Sequence, residues 1–238
     1  MAANQSPSSR HRPGGMKILY EDRDLLVVDK PSGLLTMGTE RDKTRTAYAL
    51  ATDYVRKGNP KSRHRLFIVH RLDRDTSGVL LLAKTEAAKT ALQGGWDSTQ
   101  KSYLAIVHGH LASREGTISS YLAENSAHNV YSTPDPQQGK LSHTAYKVLQ
   151  ESKEFSLLEI TLLTGRKNQI RVHFSELGHP LVGDRKYGGE KDSSPRLALH
   201  ARSISFRHPF DGRAISFEAE VPDHFPRLMG KKGRLERL

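Results

Sequence analysis

Residues 66–84 read LFIVHRLDRDTSGVLLLAK, and this stretch decides the fold. Leu66–Val69 and Val79–Ala83 are short apolar runs of strand length. The second has no polar residue and is expected to be buried on both faces. Between them lies a loop of His70, Arg71, Leu72, Asp73, Arg74, Asp75, Thr76, Ser77 and Gly78. A charged loop mounted between two buried strands is a rigid platform for a reactive side chain. Taken alone, it reads first as an ordinary solvated turn in which Asp73 and Asp75 pair with Arg71 and Arg74, since most charged turns are no more than that.

Working outward, Leu25–Val28 is a further apolar strand, broken by the turn chemistry of Lys30-Pro31-Ser32-Gly33. Ala47, Leu50, Ala51, Tyr54 and Val55 recur at helical spacing, and Gly58-Asn59-Pro60 ends that helix. A short helix over Thr85–Gln93 stops at Gly94-Gly95. Tyr103–Val107, Ala145–Leu149 and the alternating stretch 155–163 read as strands. Asn168–Leu177 reads as a helix with Ile170, Phe174 and Leu177 on one face. Ser203–Phe206 and Ile215–Ala219 flank Asp211-Gly212 as a hairpin. Residues 112–140 are sparse in large aliphatics and contain Pro134 and Pro136. The expectation there is an excursion with a long loop, a candidate binding flap. Strands dominate without regular βαβ alternation, so the fold class is α+β: one domain on a mixed, mostly antiparallel sheet with flanking helices and loops.

The 238 residues suffice to bury a core, and no linker divides their middle. The expected organisation is a disordered basic leader over 1–15, a domain over 16–229 and a basic tail over 230–238. Cysteine is absent, which excludes disulfides, thiolate metal sites and cysteine nucleophiles. No apolar run approaches bilayer length and no signal peptide is legible, so a cytoplasmic protein away from membranes is expected. The formal net charge of +11 favours a polyanionic partner, nucleic acid first. Charge concentrates in 41–65, where eight lysines and arginines, Lys43, Arg45, Arg63 and Arg65 among them, face Asp42 and Asp53, an excess of six. Such clusters suit phosphates. The histidines show no zinc spacing, His108 and His110 included, and no metal is expected. Trp96 reads as a packing residue.

A second polar segment, Leu162–Gly188, is LLTGRKNQIRVHFSELGHPLVGDRKYG. A glycine turn opens a helix whose first turns carry Arg166, Lys167, Asn168, Gln169 and Arg171. That arrangement could bind phosphate or orient a carboxylate.

HRLDRDTSGVLLLAK resembles the catalytic motif of the RluA-type RNA pseudouridine synthases. YEDRDLLVVDKPSGLL resembles the opening motif of that family, and KSYLAIVHG an intermediate one. TGRKNQIRVHFSELGHPLVGDRKYGG resembles the later motif and LALHARSISFRHPFDG the closing stretch. The matches keep the family's order from about Tyr20 to about Pro226. The resemblance implies the pseudouridine synthase fold and isomerisation of uridine in ribosomal or transfer RNA, without a cofactor. It places Asp73 on the catalytic aspartate and Arg71 on the arginine that fills the space left by the flipped base. Tyr103 falls on the tyrosine that stacks on the target base, and Arg171 on the arginine that pairs with the aspartate. Ile170 becomes an apolar contact for the base and Arg166 a second basic contact. Asn168 stands where many relatives have histidine and cannot titrate near neutrality. Too few residues precede the first motif for the S4 module of many relatives, so RNA binding is expected from the catalytic domain and its tails. A monomer is expected. A catalytically idle RNA-binding protein and a carboxylate-dependent glycosidase are the competing readings. The intact Asp73, Tyr103 and Arg171 weigh against the first, and the basic clusters and motif order against the second.

Overall fold

The computed structural model describes residues 13–38, 44–188 and 194–230. In chain order its elements are β1 (Lys17–Glu21), β2 (Leu25–Lys30), α1 (Ala47–Val55), β3 (Phe67–Ile68), β4 (Ser77–Ala83) and α2 (Glu86–Gly94). There follow β5 (Gln100–His108), β6 (Glu115–Glu124), β7 (Val130–Thr133), β8 (Lys140–Glu151) and β9 (Phe155–Leu162). The last are α3 (Gln169–Glu176), β10 (Leu199–Arg207), β11 (Ala214–Glu218) and α4 (His224–Leu228). The expected α+β class, with mostly antiparallel pairing, is what the chain forms. The stretch read as one domain resolves into two compact units. The first takes residues up to Trp96 with Phe206–Ala219, and the second takes Asp97–Ser205 with the chain from Glu220.

In the first unit β2 pairs antiparallel with β1 and with β4, and β3 pairs with the far end of β4. All seven residues of β4 are buried, as are Leu25–Val28. The two apolar runs therefore lie side by side at the centre, Leu26 opposite Leu82 and Val28 opposite Leu80. Burial of this continuous aliphatic surface is the main force that holds the pair. Thr46 caps α1 by accepting from the Ala49 N–H, and Thr85 caps α2 by accepting from the Ala88 N–H, each at 3.1 Å. The Asp211-Gly212 turn closes as expected, with the His208 N–H donating to the Arg213 carbonyl. Gly212 there has φ +69°, in the left-handed region. Asp22 knits this turn to β1. Burial opposes its charge, but hydrogen bonds from Tyr20, the Asp24 and Leu25 N–H groups and His208 hold its carboxyl below the usual range. Asp22, Asp24 and His208 are also the one metal-compatible cluster among the described residues, yet their ligand atoms are already committed to these internal bonds.

Of the expected leader, Pro13–Gly15 form a 3-10 turn with Pro13 buried. Lys43 and residues 231–238 lie outside the described residues.

In the second unit β5 pairs with β9 and β10, β8 with β9 and β6, and β7 with β6, all antiparallel. β5 is buried on both faces by alternation. Ala105 and Val107 enter the core built with Leu158, Ile160, Ile170 and Phe174. Leu104 and Ile106 enter a second core with Leu157, Val182, Phe225 and Met229.

Residues 112–140 are not the expected long loop. They form the ten-residue β6 and the shorter β7. Their aliphatic poverty has a physical cause. One face of β6 is open, and on the other only Ile118 and Leu122 pack on apolar groups, while Ser120 Oγ between them meets both Ser132 Oγ (2.9 Å) and His173 Nε2 (3.0 Å). Among the described residues no helix is long and apolar enough to cross a membrane.

Candidate active site

In the first unit Asp73 is half-buried in the loop between β3 and β4. The segment that follows β2, Pro31 to Thr36, grips this loop chiefly by its backbone. Lys30 Nζ donates to the carbonyls of Pro31 (3.0 Å), Leu34 (2.8 Å) and Arg74 (3.0 Å). The Gly33 N–H also donates to the Arg74 carbonyl, at 3.0 Å. Thr36 Oγ1 donates to the Leu72 carbonyl (2.7 Å) and accepts from the Leu72 N–H (3.2 Å), and Ser32 Oγ donates to the Asp75 carbonyl (2.8 Å). Positions 72, 74 and 75 are thus pinned around Asp73, and Gly33, at φ +84°, makes the turn that permits it.

Lys30 has no exposed surface. Burial pushes its ammonium down to about 8, against the pull of Asp75, Asp73 and Asp29. Below that pH it brings three donors to three carbonyls. Sequence reading left it inside a motif without a role, although a lysine closing a strand of buried aliphatics was a usable signal. Lys30→Met should leave those acceptors unmet and cost about 2–3 kcal/mol of stability. Urea melts check this.

His70 supports the same loop. Its Nε2 accepts from the Leu81 N–H at 3.0 Å, and its ring stacks on Trp96 with centroids 5.0 Å apart. Trp96 is accordingly a packing residue.

The second unit holds Arg171, Tyr103, Ile170 and Arg166. Arg171, on the first turn of α3, forks onto Asp184, with Nε to Oδ2 at 2.8 Å and Nη2 to Oδ1 at 2.7 Å. The Asp184 side chain is fully buried. Its Oδ1 also accepts from the N–H groups of Lys186 (2.9 Å) and Tyr187 (3.0 Å). Burial works against the Asp184 charge, but the Arg171 guanidinium and these donors hold its carboxyl below the usual range. Gly183, at φ +78°, turns the chain just before it; a Cβ there would collide with the Arg196 carbonyl. The Arg171 guanidinium carbon lies 5.1 Å from the centre of the Tyr187 ring. Tyr187 then donates its hydroxyl proton to Asn168 Oδ1 (3.2 Å) and accepts from the Val130 N–H (3.1 Å). Asn168 sits at φ +52°, ψ +16°, a left-handed pose that asparagine tolerates. Gln169 Oε1 accepts from the Arg166 N–H (3.0 Å) and Thr164 Oγ1 (2.9 Å), fixing where α3 begins. Asp184 and Tyr187 were not singled out from sequence. The usable signal was that a basic residue on the buried side of a helix needs a carboxylate.

Tyr103 lies on β5 opposite Ile160 and Ala201 and is half-buried. Ile170 is 4% exposed and packs in the core with Phe174. Arg166, Arg71, Arg45, Arg63 and Arg65 are exposed; Arg65 lies over the Phe67 ring at 4.8 Å.

α3 is anchored from beneath by His173, whose Nδ1 meets Thr144 Oγ1 at 2.9 Å. Burial pushes His173 down to about 4; Glu176 opposes this and His143 adds to it. The folded chain therefore binds fewer protons than the unfolded chain between about pH 4 and the ordinary histidine value of 6.5. Stability should fall as pH drops through that window, by about 2 kcal/mol from this group after screening, and level off below it. His173→Asn should flatten that stretch of a urea-midpoint profile.

The family model for RNA pseudouridylate synthase matches residues 24–176. This chain belongs to that family. The match takes in Asp73, Tyr103 and Arg171. An RNA pseudouridine synthase of Bacillus subtilis, itself uncharacterised, is 38% identical over 88% of this chain and 70% of its own length. The ribosomal large subunit pseudouridine synthase D of Zymomonas mobilis is 36% identical over 87% of this chain and 69% of its own. The solved structure of human RNA pseudouridylate synthase domain containing 1 covers 98% of this chain, and the chain 94% of it, with a TM-score of 0.71 and 29% identity. As a member of the pseudouridine synthase family the chain is an isomerase.

Proposed function

We propose that this enzyme converts specific uridines of ribosomal or transfer RNA to pseudouridine, with Asp73 as the catalytic carboxylate. The observation that carries the reading is the backbone clamp around Asp73, which gives one carboxylate in the HRLD motif a fixed pose on a rigid strand pair. In the reaction the C1′–N1 bond breaks, the uracil turns, and a C1′–C5 bond forms. C5 gives up its proton and N1 ends with one, so the atoms balance without a redox partner. A carboxylate suits each demand: it stabilises or captures the positive character at C1′, or takes the C5 proton. Arg171, held by Asp184, is the arginine that the resemblance assigns to the catalytic carboxylate. Tyr103 stacks on the extruded uracil and Arg71 fills the gap in the RNA stack, offsetting the few kcal/mol that extrusion costs. Arg45, Arg63, Arg65 and Arg166, with Lys43, hold phosphates. No cofactor or metal enters this scheme.

Ribosomal RNA is the first substrate to test, because one relative carries that target in its name. Pseudouridine should be mapped across ribosomal and transfer RNA from cells with and without the gene. Loss at one or a few uridines, restored by a supplied copy, is the expected result. An unchanged map would overturn the reading.

A further inference from the structure

A cleft of about 340 Å³ lies in the second unit, and Arg171 is not among the residues that line it. Its floor is apolar. Leu122 and Val130 face it, and both pack from behind on Val172 of α3 and on Tyr187. Its rim is cationic, with Lys140, Arg166 and Lys167. The single carboxylate in the lining, Glu124, is already paired with Lys167 Nζ at 2.5 Å and hydrogen-bonded to His128 Nδ1 at 2.8 Å. Among the described residues the Lys140 ammonium and the Arg166 guanidinium have no acidic partner, so the rim keeps two uncompensated positive charges. Gly165 leaves its wall open, with nothing within 4 Å of where a Cβ would stand.

We infer that this cleft takes one unpaired nucleotide of the RNA substrate, distinct from the uridine that reacts. The base lies on the Leu122–Val130 floor, and the phosphate meets Lys140 and Arg166. An apolar floor beside a doubly cationic rim is the chemistry of a nucleotide rather than of a bare anion, which would have no use for the floor, or of an apolar ligand, which would leave two charges desolvated. The size lies within the range of small-molecule sites. Because the floor rests on the helix that bears Arg171, occupancy would also stiffen that helix. The identity of the polymer as the enzyme's RNA substrate rests on the function proposed above; the nucleotide chemistry of the cleft does not.

The test has two arms on the full chain. In the first, the 15N-labelled protein is titrated with 5′-AMP and, separately, with inorganic phosphate. The expected result is amide shifts at Leu122, Ala123, Val130 and Gly165 with the nucleotide at concentrations where phosphate gives none. Equal shifts with phosphate, or none with either, overturn the inference. In the second, Lys140→Glu is assayed on the RNA identified by mapping. KM should rise about tenfold, kcat at saturating RNA should hold, and the salt dependence of log KM should lose about one unit of slope. An unchanged KM and slope overturn the inference. If mapping finds no pseudouridine target, the function fails while the nucleotide titration still decides the cleft.

Discussion

Asp73→Asn is expected to leave a folded protein that binds RNA and forms no pseudouridine. The substitution removes a charge and little volume. The loop that carries it is held through the carbonyls of Leu72, Arg74 and Asp75 and the Leu72 N–H, all backbone groups of other residues that the substitution leaves in place. The thermal midpoint should move by no more than a few degrees, and RNA affinity should stay within about threefold. An amide neither captures C1′ nor takes a proton at neutral pH, so single-turnover rates should fall by a factor of at least about 10³–10⁴. Residual turnover near the wild-type rate, in a protein with the wild-type melt, would remove Asp73 from the chemistry.

Asp184→Ala is expected to be the most damaging single change to the fold of the second unit. It strands the buried Arg171 guanidinium and orphans the Lys186 and Tyr187 N–H groups at once. Breaking one side of a buried pair costs about 3–5 kcal/mol, whereas replacing both sides with apolar groups often costs little. The double variant Arg171→Met, Asp184→Leu should therefore melt well above Asp184→Ala alone, and both should lack activity. At about 2–4 °C per kcal/mol for a chain of this length, Asp184→Ala should lower the midpoint by about 6–20 °C. A double variant no more stable than the single one would show that packing around Gly183, not the ion pair, is what the aspartate serves.

What could be read from sequence follows the range of the interactions. The strands β2 and β4 and the helix α1 are specified by their own apolar spacing, and each appears within a few residues of its expected span. β6 escaped because only Ile118 and Leu122 of its inward side chains are aliphatic, with Ser120 between them bonded to His173 of α3, too sparse a pattern to mark a strand. The loop that carries Asp73, set between two apolar strands, was legible because its motif is local. Lys30 and Asp184 acquire meaning only through distant partners: Lys30 reaches a carbonyl 44 residues away, and Asp184 meets an arginine 13 residues earlier. Leu177, placed on the buried face by spacing, is 46% exposed at the C-terminal cap of α3.

The clamp on the reactive loop has a consequence for divergence. Lys30, Ser32 and Thr36 hold carbonyl oxygens, which every amino acid supplies. The side chain at 71 is outside that grip, that at 75 enters it only through its charge near Lys30, and Arg74 joins it only by its own bond to the Gly33 carbonyl. Those positions can change to suit a new RNA while the carboxylate between them stays where it is. A scaffold built this way separates the inheritance of the reaction from the inheritance of the target.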